Sequence, residues 1–238
     1  MPESASPPVT SIVLPVRDEA EGIGPLVHEI RERMCLAGLS TEILLVDDHS
    51  TDGTADRLLD LHRHCPEQIR CLTTPDPGGQ PLAILTGLAQ IRGRAVVVMD
   101  ADGQDPPRLL PECFRLILEE NHDLVEAVRC RRKDPFAKRM CAWTAYRVLY
   151  GLSRRALPMD TGEFCAMSDA LAHALVLCAD SRSYLRGLRR CLSDRPTSLL
   201  FMREARRFDR SSIRLRDSLQ LAGNGFRLAL DLRQRSRL

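Results

Sequence analysis

The chain has 238 residues, 44% of them apolar and 28% charged, with a formal net charge of +2. That suits one large globular α/β domain, or such a domain with a small appendage. No stretch approaches the roughly 18 to 20 continuous apolar residues of a membrane span, Met1-Pro2-Glu3-Ser4 lacks the basic and apolar parts of a secretory signal, and nine cysteines at irregular spacing with no C-x-x-C argue for reduced thiols rather than a disulfide framework or structural zinc.

The small net charge hides a polarity. Residues 182–238 carry 15 Arg against 5 Asp/Glu, net +10, while residues 1–181 carry 19 Lys/Arg against 27 Asp/Glu, net −8. Such a tail either faces something anionic (phosphates, a membrane surface) or pairs with the acidic domain. Nucleic acid is disfavoured, because three Tyr, one Trp and six Phe leave few stacking platforms. His62-Arg63-His64 reads as a solvated helix end, with no Cys or His at ligand spacing.

In chain order, residues 1–8 read as a disordered lead-in. Val9 to Val16 forms a first strand, and Ala20 to Leu36 has helical apolar spacing, with Gly38 as its stop. Glu42 to Val46 is a second buried strand ending at Asp47-Asp48. Ser50 to Thr54 supplies turn and cap residues for a helix through His64. A short strand follows at 69–72, a loop at 75–79, and a helix from Pro81 to Ile91. Residues 95–99, Ala-Val-Val-Val-Met, form a central buried strand, and a helix is predicted over 108–120 and a strand over 124–128. The second half is less regular: a long helix at 136–156, a loop-and-strand passage at 158–167, helices to Cys178 and over 184–192, a strand at 199–202, a basic loop at 203–212, and an apolar stripe from Leu215 to Leu230 with arginines around it. Strands alternating with helices imply βαβ units and a mostly parallel sheet, with the strand ends 16–19, 46–48, 100–104 and 129–132 along one edge.

The most informative segment is Met99-Asp100-Ala101-Asp102-Gly103-Gln104-Asp105-Pro106-Pro107. Open α/β sheets bind ligands at the carboxyl ends of their strands, where this buried strand ends in two carboxylates. Asp100 and Asp102 can share one hard cation, or one can hold it while the other takes a sugar hydroxyl. Mg²⁺ and Mn²⁺ are commonly held by one or two carboxylates plus substrate phosphates, which points to a phosphate-bearing donor. Asp52 and Thr54 read as caps, Asp48 as orienting its turn, and Pro106 and Pro107 as a helix start.

Three ordered segments, Pro15-Val16-Arg17-Asp18-Glu19, Val46-Asp47-Asp48-His49-Ser50-Thr51-Asp52-Gly53-Thr54, and residues 100–107, resemble successive motifs of inverting family 2 glycosyltransferases, within them most the polyprenyl-phosphate glycosyltransferases. The resemblance runs from about Ser11 to Phe226 and implies a Rossmann-like GT-A fold over 9–213, followed by a basic amphipathic helix at 214–238. It implies that Asp47 contacts the donor base and that Pro15, Arg17 and Glu19 wall the nucleotide site. Asp102 would bind the metal, Asp100 the metal or ribose, with Ala101 and Gln104 beside the donor. Arg129 and Arg132 match an R-x-x-R at the next strand end. Arg203, Arg206 and Ser211 match a loop that closes over donor diphosphate and acceptor phosphate, and Glu163 takes the acidic place in a Gly-Asp-Phe-Arg-like segment as base or acceptor-orienting residue. This chain departs from the pattern at Arg17 (commonly Asn), Cys165 (commonly Arg), Asp209 (commonly Gly) and Ser212 (commonly Lys).

The resulting expectation is metal-dependent (Mg²⁺ or Mn²⁺) transfer of a hexose from a nucleotide sugar to a polyprenyl phosphate. The protein would be peripheral on the cytoplasmic face, through its C-terminal helix or a membrane partner protein. Transfer to a soluble or protein acceptor, or a noncatalytic nucleotide-sugar-binding subunit, are the alternatives. Assembly into a homo-oligomer is left open.

Overall fold

The computed structural model describes residues 9–129, 161–180 and 183–202. The predicted lead-in, the 136–156 helix, the basic loop at 203–212 and the 214–238 helix lie outside them. The described elements are β1 (Thr10–Val16), α1 (Ile23–Leu36), β2 (Thr41–Asp47), α2 (Thr54–His64), β3 (Ile69–Thr73), α3 (Gly79–Leu88), β4 (Ala95–Val98), α4 (Leu110–Leu118, entered through a 3₁₀ turn at Pro107–Leu109), β5 (Leu124–Arg129), β6 (Thr161–Ser168), α5 (Asp169–Cys178), α6 (Leu185–Leu192) and β7 (Pro196–Phe201).

The seven strands form one sheet in the order β3-β2-β1-β4-β6-β5-β7. β3, β2, β1 and β4 are parallel, as are β5 and β7, while β6 runs antiparallel to both neighbours. The chain steps outward from β1 to β2 to β3, then returns to place β4 on the other side of β1. The carboxyl ends of β1 and β4 therefore flank a topological switch point, where open α/β sheets form their ligand crevice.

Strand alternation divides the core in two. Ile12, Leu14, Ile43, Leu45, Val97, Met99, Phe164 and Ala166 face α1, α2 and α4, through Ile23, Val27, Ile30, Leu58, Phe114 and Ile117. Val13, Leu44, Val46, Val96, Val98, Cys165 and Met167 face α3, α5 and α6, through Ala83, Ile84, Leu88, Leu171, Leu175 and Leu185. β1, β2 and β4 are thus buried on both faces, which is why they read as near-continuous apolar runs. Where α3 crosses β1 and β2 the approach is close: a Cβ on Gly87 would meet Val13 Cγ1 at 2.4 Å.

Boundaries differ from the sequence expectation where the chain turns. α1 begins at Ile23 rather than Ala20, because Arg17 to Gly22 is occupied by a loop tied to the β2–α2 connection. α3 begins at Gly79 and ends at Leu88 rather than spanning 81–91; Pro81 sits in the first turn, where a missing N–H costs nothing. β7 starts at Pro196 rather than 199, since a proline at the head of a strand breaks no ladder bond. α1 ends as predicted at Gly38, whose φ of +67° lets Leu39 N–H bond back to the Met34 carbonyl.

Candidate active site

Four strands deliver polar residues to one edge. β1 leads into Arg17-Asp18-Glu19, β2 ends at Asp47-Asp48, β4 leads into Asp100–Gln104, and the antiparallel β6 opens there with Thr161-Gly162-Glu163. β5 closes at the same edge with Arg129, in register with Phe201 at the end of β7. Arg132, Arg203, Arg206 and Ser211 lie outside the described residues.

The first two loops are laced together. Asp48 N–H donates to the Val16 carbonyl (2.9 Å), and Asp18 N–H to Ser50 Oγ (3.0 Å). Thr51 N–H donates to Asp18 Oδ1 (2.7 Å) and Glu19 N–H to Thr54 Oγ1 (2.9 Å). Asp18 and His49 take left-handed backbone (φ +54° and +58°) to make this exchange, a conformation that Asp and His tolerate better than most residues. Burial raises the Asp52 carboxyl, but bonds from the Thr54 hydroxyl and the Ala20 and Thr54 amides outweigh it and hold the group below its ordinary range.

Asp48 is the hub of this half of the edge. Buried to 2% exposure, it accepts from Arg17 Nη1 (3.0 Å), Thr74 Oγ1 (3.1 Å) and the amides of Gly78 (3.1 Å) and Gly79 (3.1 Å). One carboxylate thus fixes the loop before α3 and tethers the half-exposed Arg17. Asp47, also buried, accepts the Ser50 hydroxyl and amide. Pro15 is partly buried in β1, in register with Val46.

The carboxylate pair is held from both sides. Asp100 N–H donates to Asp105 Oδ2 (3.1 Å), and Asp105 is fully buried. Gln80, at the head of α3, donates its Nε2 to Asp100 Oδ1 at 2.6 Å. Gln104 N–H donates to Asp102 Oδ1 (3.1 Å), closing a turn that passes through Gly103 at φ +70°. Ala101 is buried between the two acids. Asp100 and Asp102 offer only oxygen, the donor set that Mg²⁺ and Mn²⁺ take. Among the described residues no group of three or more His, Cys, Asp or Glu could enclose a metal. A cation here would therefore draw further ligands from phosphate and water, and on that test the residues fit one of these ions.

Glu163 sits one strand over from this pair. Val98 pairs with Cys165, two residues from both Asp100 and Glu163, and by alternation both acids lie on the α3/α6 face. Glu163 accepts from Arg186 Nε (2.6 Å) and Arg189 Nη1 (3.3 Å). Arg189 is 2% exposed and also donates to the Gly162 carbonyl (2.9 Å), with its Nε 3.9 Å from Glu126 Oε1. Glu126, equally buried, meets Arg190 at 3.5 Å. Burial raises the Glu126 carboxyl above its ordinary value, and the two arginines only partly offset this.

The sequence reading passed over Gln80, Asp105, Glu126, Arg186, Arg189 and Arg190. Two signals pointed to the charge cluster: a glutamate inside the otherwise apolar Leu124–Val128 strand, and arginines three and four apart on the 185–192 helix, which share a face. Nothing local marked Gln80, whose partner is 20 residues away.

Comparison with known proteins agrees with this architecture. The sequence model of the family described as "Glycosyl transferase family 2" matches residues 11–172. An uncharacterized glycosyltransferase of Bacillus subtilis is 30% identical over 216 residues, covering 90% of this chain and 66% of that protein. An undecaprenyl-phosphate 4-deoxy-4-formamido-L-arabinose transferase of Yersinia enterocolitica is 28% identical, covering 93% of this chain and 67% of its own length. The chain thus spans about two thirds of these relatives. Among solved structures, mannosyl-3-phosphoglycerate synthase from Rubrobacter xylanophilus superposes with a TM-score of 0.67 at 22% identity, over 97% of this chain and 76% of that one. Glucosyl-3-phosphoglycerate synthase from Mycobacterium tuberculosis, in complex with Mn²⁺, UDP and phosphoglyceric acid, gives 0.65 at 21%, over 94% and 78%. With the family model covering well over half of its length and its mostly parallel sheet in the GT-A arrangement, the chain belongs to glycosyl transferase family 2.

Proposed function

We propose that the chain transfers a hexose from a nucleotide sugar to a polyprenyl phosphate, with inversion and with a divalent cation, at the cytoplasmic face of a membrane. The observation that carries this reading is the Asp100/Asp102 pair, held by Gln80, Asp105 and the Gln104 amide at the β1/β4 switch point, two strands from Asp47. A donor laid across these strands puts its base at Asp47, its ribose and diphosphate over β1 and β4, and its sugar toward β6. A bound Mg²⁺ or Mn²⁺ supplies Lewis-acid neutralisation of the departing diphosphate.

The chain's own residues do the rest. Asp47, with Pro15, Arg17 and Glu19 around it, receives the nucleoside; Asp102 holds the cation, and Asp100 the cation or ribose, with Ala101 and Gln104 alongside. Arg129, Arg132, Arg203, Arg206 and Ser211 bind the phosphates, adding bidentate contacts where charge develops. A phosphate acceptor is already an anion, so Glu163 serves better to orient than to deprotonate. The likeness to a relative named for undecaprenyl phosphate supports the lipid acceptor, and the arginine-rich stretch beyond residue 182 supports attraction to an anionic bilayer.

Thermal-shift titration with nucleotide sugars, with and without Mn²⁺, tests the donor half, because a ligand that binds the native state raises its stability. Asp102→Asn should abolish the Mn²⁺-dependent shift and the turnover; unchanged turnover refutes the metal assignment. Flotation with anionic liposomes tests the acceptor half, and failure to float directs the search to soluble acceptors.

A further inference from the structure

The head of α3 is anchored on one side of the switch point and reaches to the other. Gly78 and Gly79 turn both their amides onto the buried Asp48 carboxylate, at 3.1 Å each. An acid 30 residues away in sequence thus caps this helix and faces the positive end of its dipole. Thr74 adds its hydroxyl to Asp48 (3.1 Å) and its amide to the Asp47 carbonyl (3.0 Å). Glycine is required at the turn: Gly79 takes φ +73°, and a Cβ on Gly78 would run into Leu82. The next residue is Gln80, whose Nε2 donates to Asp100 Oδ1 at 2.6 Å.

Asp48 follows β2 and Asp100 follows β4, on either side of β1, so the strands that deliver them stand about 10 Å apart. Val46 and Val98 both face α3, and alternation puts Asp48 and Asp100, each two residues further on, on that same face. The α3 head therefore bridges the two acids across the end of β1. Its two ends differ in kind. At Asp48, backbone amides hold a buried carboxylate. At Asp100 the donor is a side-chain amide, which directs a carboxylate oxygen without cancelling its charge. A lysine or arginine there would neutralise an acid that a cation needs, whereas an amide orients the acid and leaves its charge in place.

We propose that Gln80 is a positioning residue for cation binding: Asp48 fixes the α3 head, the head presents Gln80, and Gln80 sets the Asp100 carboxylate toward the cation that Asp102 holds. The proposal rests on the transferase reading above and deepens it, by assigning Asp100 to the cation rather than to the ribose. Groups that orient a metal's ligands commonly change its affinity by about 10- to 100-fold.

The test measures Mn²⁺ binding to the full chain by electron paramagnetic resonance of the free ion, with and without UDP or GDP, and separately the binding of UDP or GDP in EDTA. Gln80→Ala should weaken Mn²⁺ binding by about tenfold and leave the metal-free melting midpoint unchanged, since Gln80 is exposed. Gln80→Lys keeps a donor but adds a positive charge, and should not restore the affinity. Asp48→Asn keeps the side chain's shape but sets an N–H against the Gly78 and Gly79 amides. It should weaken Mn²⁺ binding by about threefold or more on its own and have no further effect in a Gln80→Ala background, a non-additivity that general loosening of the fold does not produce. Equal Mn²⁺ affinity in wild type and Gln80→Ala, with Asp102→Asn abolishing it, overturns the proposal and leaves the cation reading standing. So does a Gln80→Ala loss confined to UDP or GDP binding in EDTA, which gives Asp100 to the ribose. Losses that add in the double variant remove Asp48 from the arrangement and overturn the proposal as stated. A wild type that binds no Mn²⁺ under any of these conditions refutes the cation reading itself, and the proposal with it.

Discussion

Replacing Arg189 by methionine keeps most of the side chain's volume and removes its charge. The guanidinium is 2% exposed and spends its donors on the Gly162 carbonyl at 2.9 Å and on Glu163 at 3.3 Å, with Glu126 at 3.9 Å. Without it Glu126 stays buried with only Arg190 at 3.5 Å, and the Gly162 carbonyl loses a donor. Breaking a buried ion pair from one side costs about 3–5 kcal/mol. At about 2–4 °C per kcal/mol for a chain of this size, the melting midpoint should fall by roughly 10 °C. The double variant Arg189→Met/Glu126→Leu removes the stranded acid as well and should recover more than half of the loss, because an apolar pair in place of a buried ion pair is often neutral or stabilising. The pH dependence has a definite sign. Burial holds the folded-state pKa of Glu126 above its ordinary value of 4.5. For an acid shifted upward, the contribution to stability is fully present below the unfolded value and is lost as pH rises through the folded one. Removing Arg189 takes away the larger of the two downward influences, so the penalty of Arg189→Met should be smallest near the ordinary value and should grow toward neutral pH. Calorimetric melts across this range check both points. A midpoint that drops by less than about 2 °C, or a penalty that is flat in pH, refutes the reasoning.

Three further outcomes follow from the packing and the loops. Asp48→Ala strips the acceptor from the Gly78 and Gly79 amides and the Thr74 hydroxyl; it should cost about 2–4 kcal/mol in denaturant unfolding and speed hydrogen exchange at those two amides. Gly87→Ala would place a Cβ 2.4 Å from Val13 Cγ1, and overpacking of about 1–3 kcal/mol should outweigh the roughly 1 kcal/mol gained in helix propensity, read as a lower urea midpoint. Burial pushes the Cys113 and Cys165 thiols up to about 12, so at pH 8 a thiol reagent should label the exposed Cys35 and Cys178 at once and reach the two buried thiols only on unfolding, as mapped by mass spectrometry.

The first half of the fold was legible because its strands carry their own signal. Val9–Val16, Glu42–Val46 and Ala95–Met99 are apolar runs bounded by charge, and each was found within a residue or two of its observed limits. Asp47, Asp100 and Asp102 followed at once, since a carboxylate at the end of a buried parallel strand has only the sheet edge to occupy. The direction of β6 was not legible. Thr161–Ser168 is flanked by a long connection, and its pattern is the same read either way. The cluster around Glu126 and Glu163 was hidden for a related reason: its three arginines come from a helix that local spacing describes as a basic surface, and only packing against β5 and β6 turns that surface inward. Gln80 and Asp105 show a third kind of concealment, in which a residue acts by holding another residue's side chain or amide.

The antiparallel course of β6 ties the remaining pieces to the site. Because β6 runs against its neighbours, its first residues stand where the parallel strands have their last, so a segment that opens a strand, Thr161-Gly162-Glu163, joins segments that close strands. β5 ends at Arg129 and β6 begins at Thr161 on that one edge. β7 ends at Phe201 in register with Arg129, at the same edge. The edge thereby gathers Asp47 from β2, Arg17 from the end of β1, Asp100 and Asp102 from β4 and, because β6 runs against them, Glu163 one strand beyond the carboxylate pair.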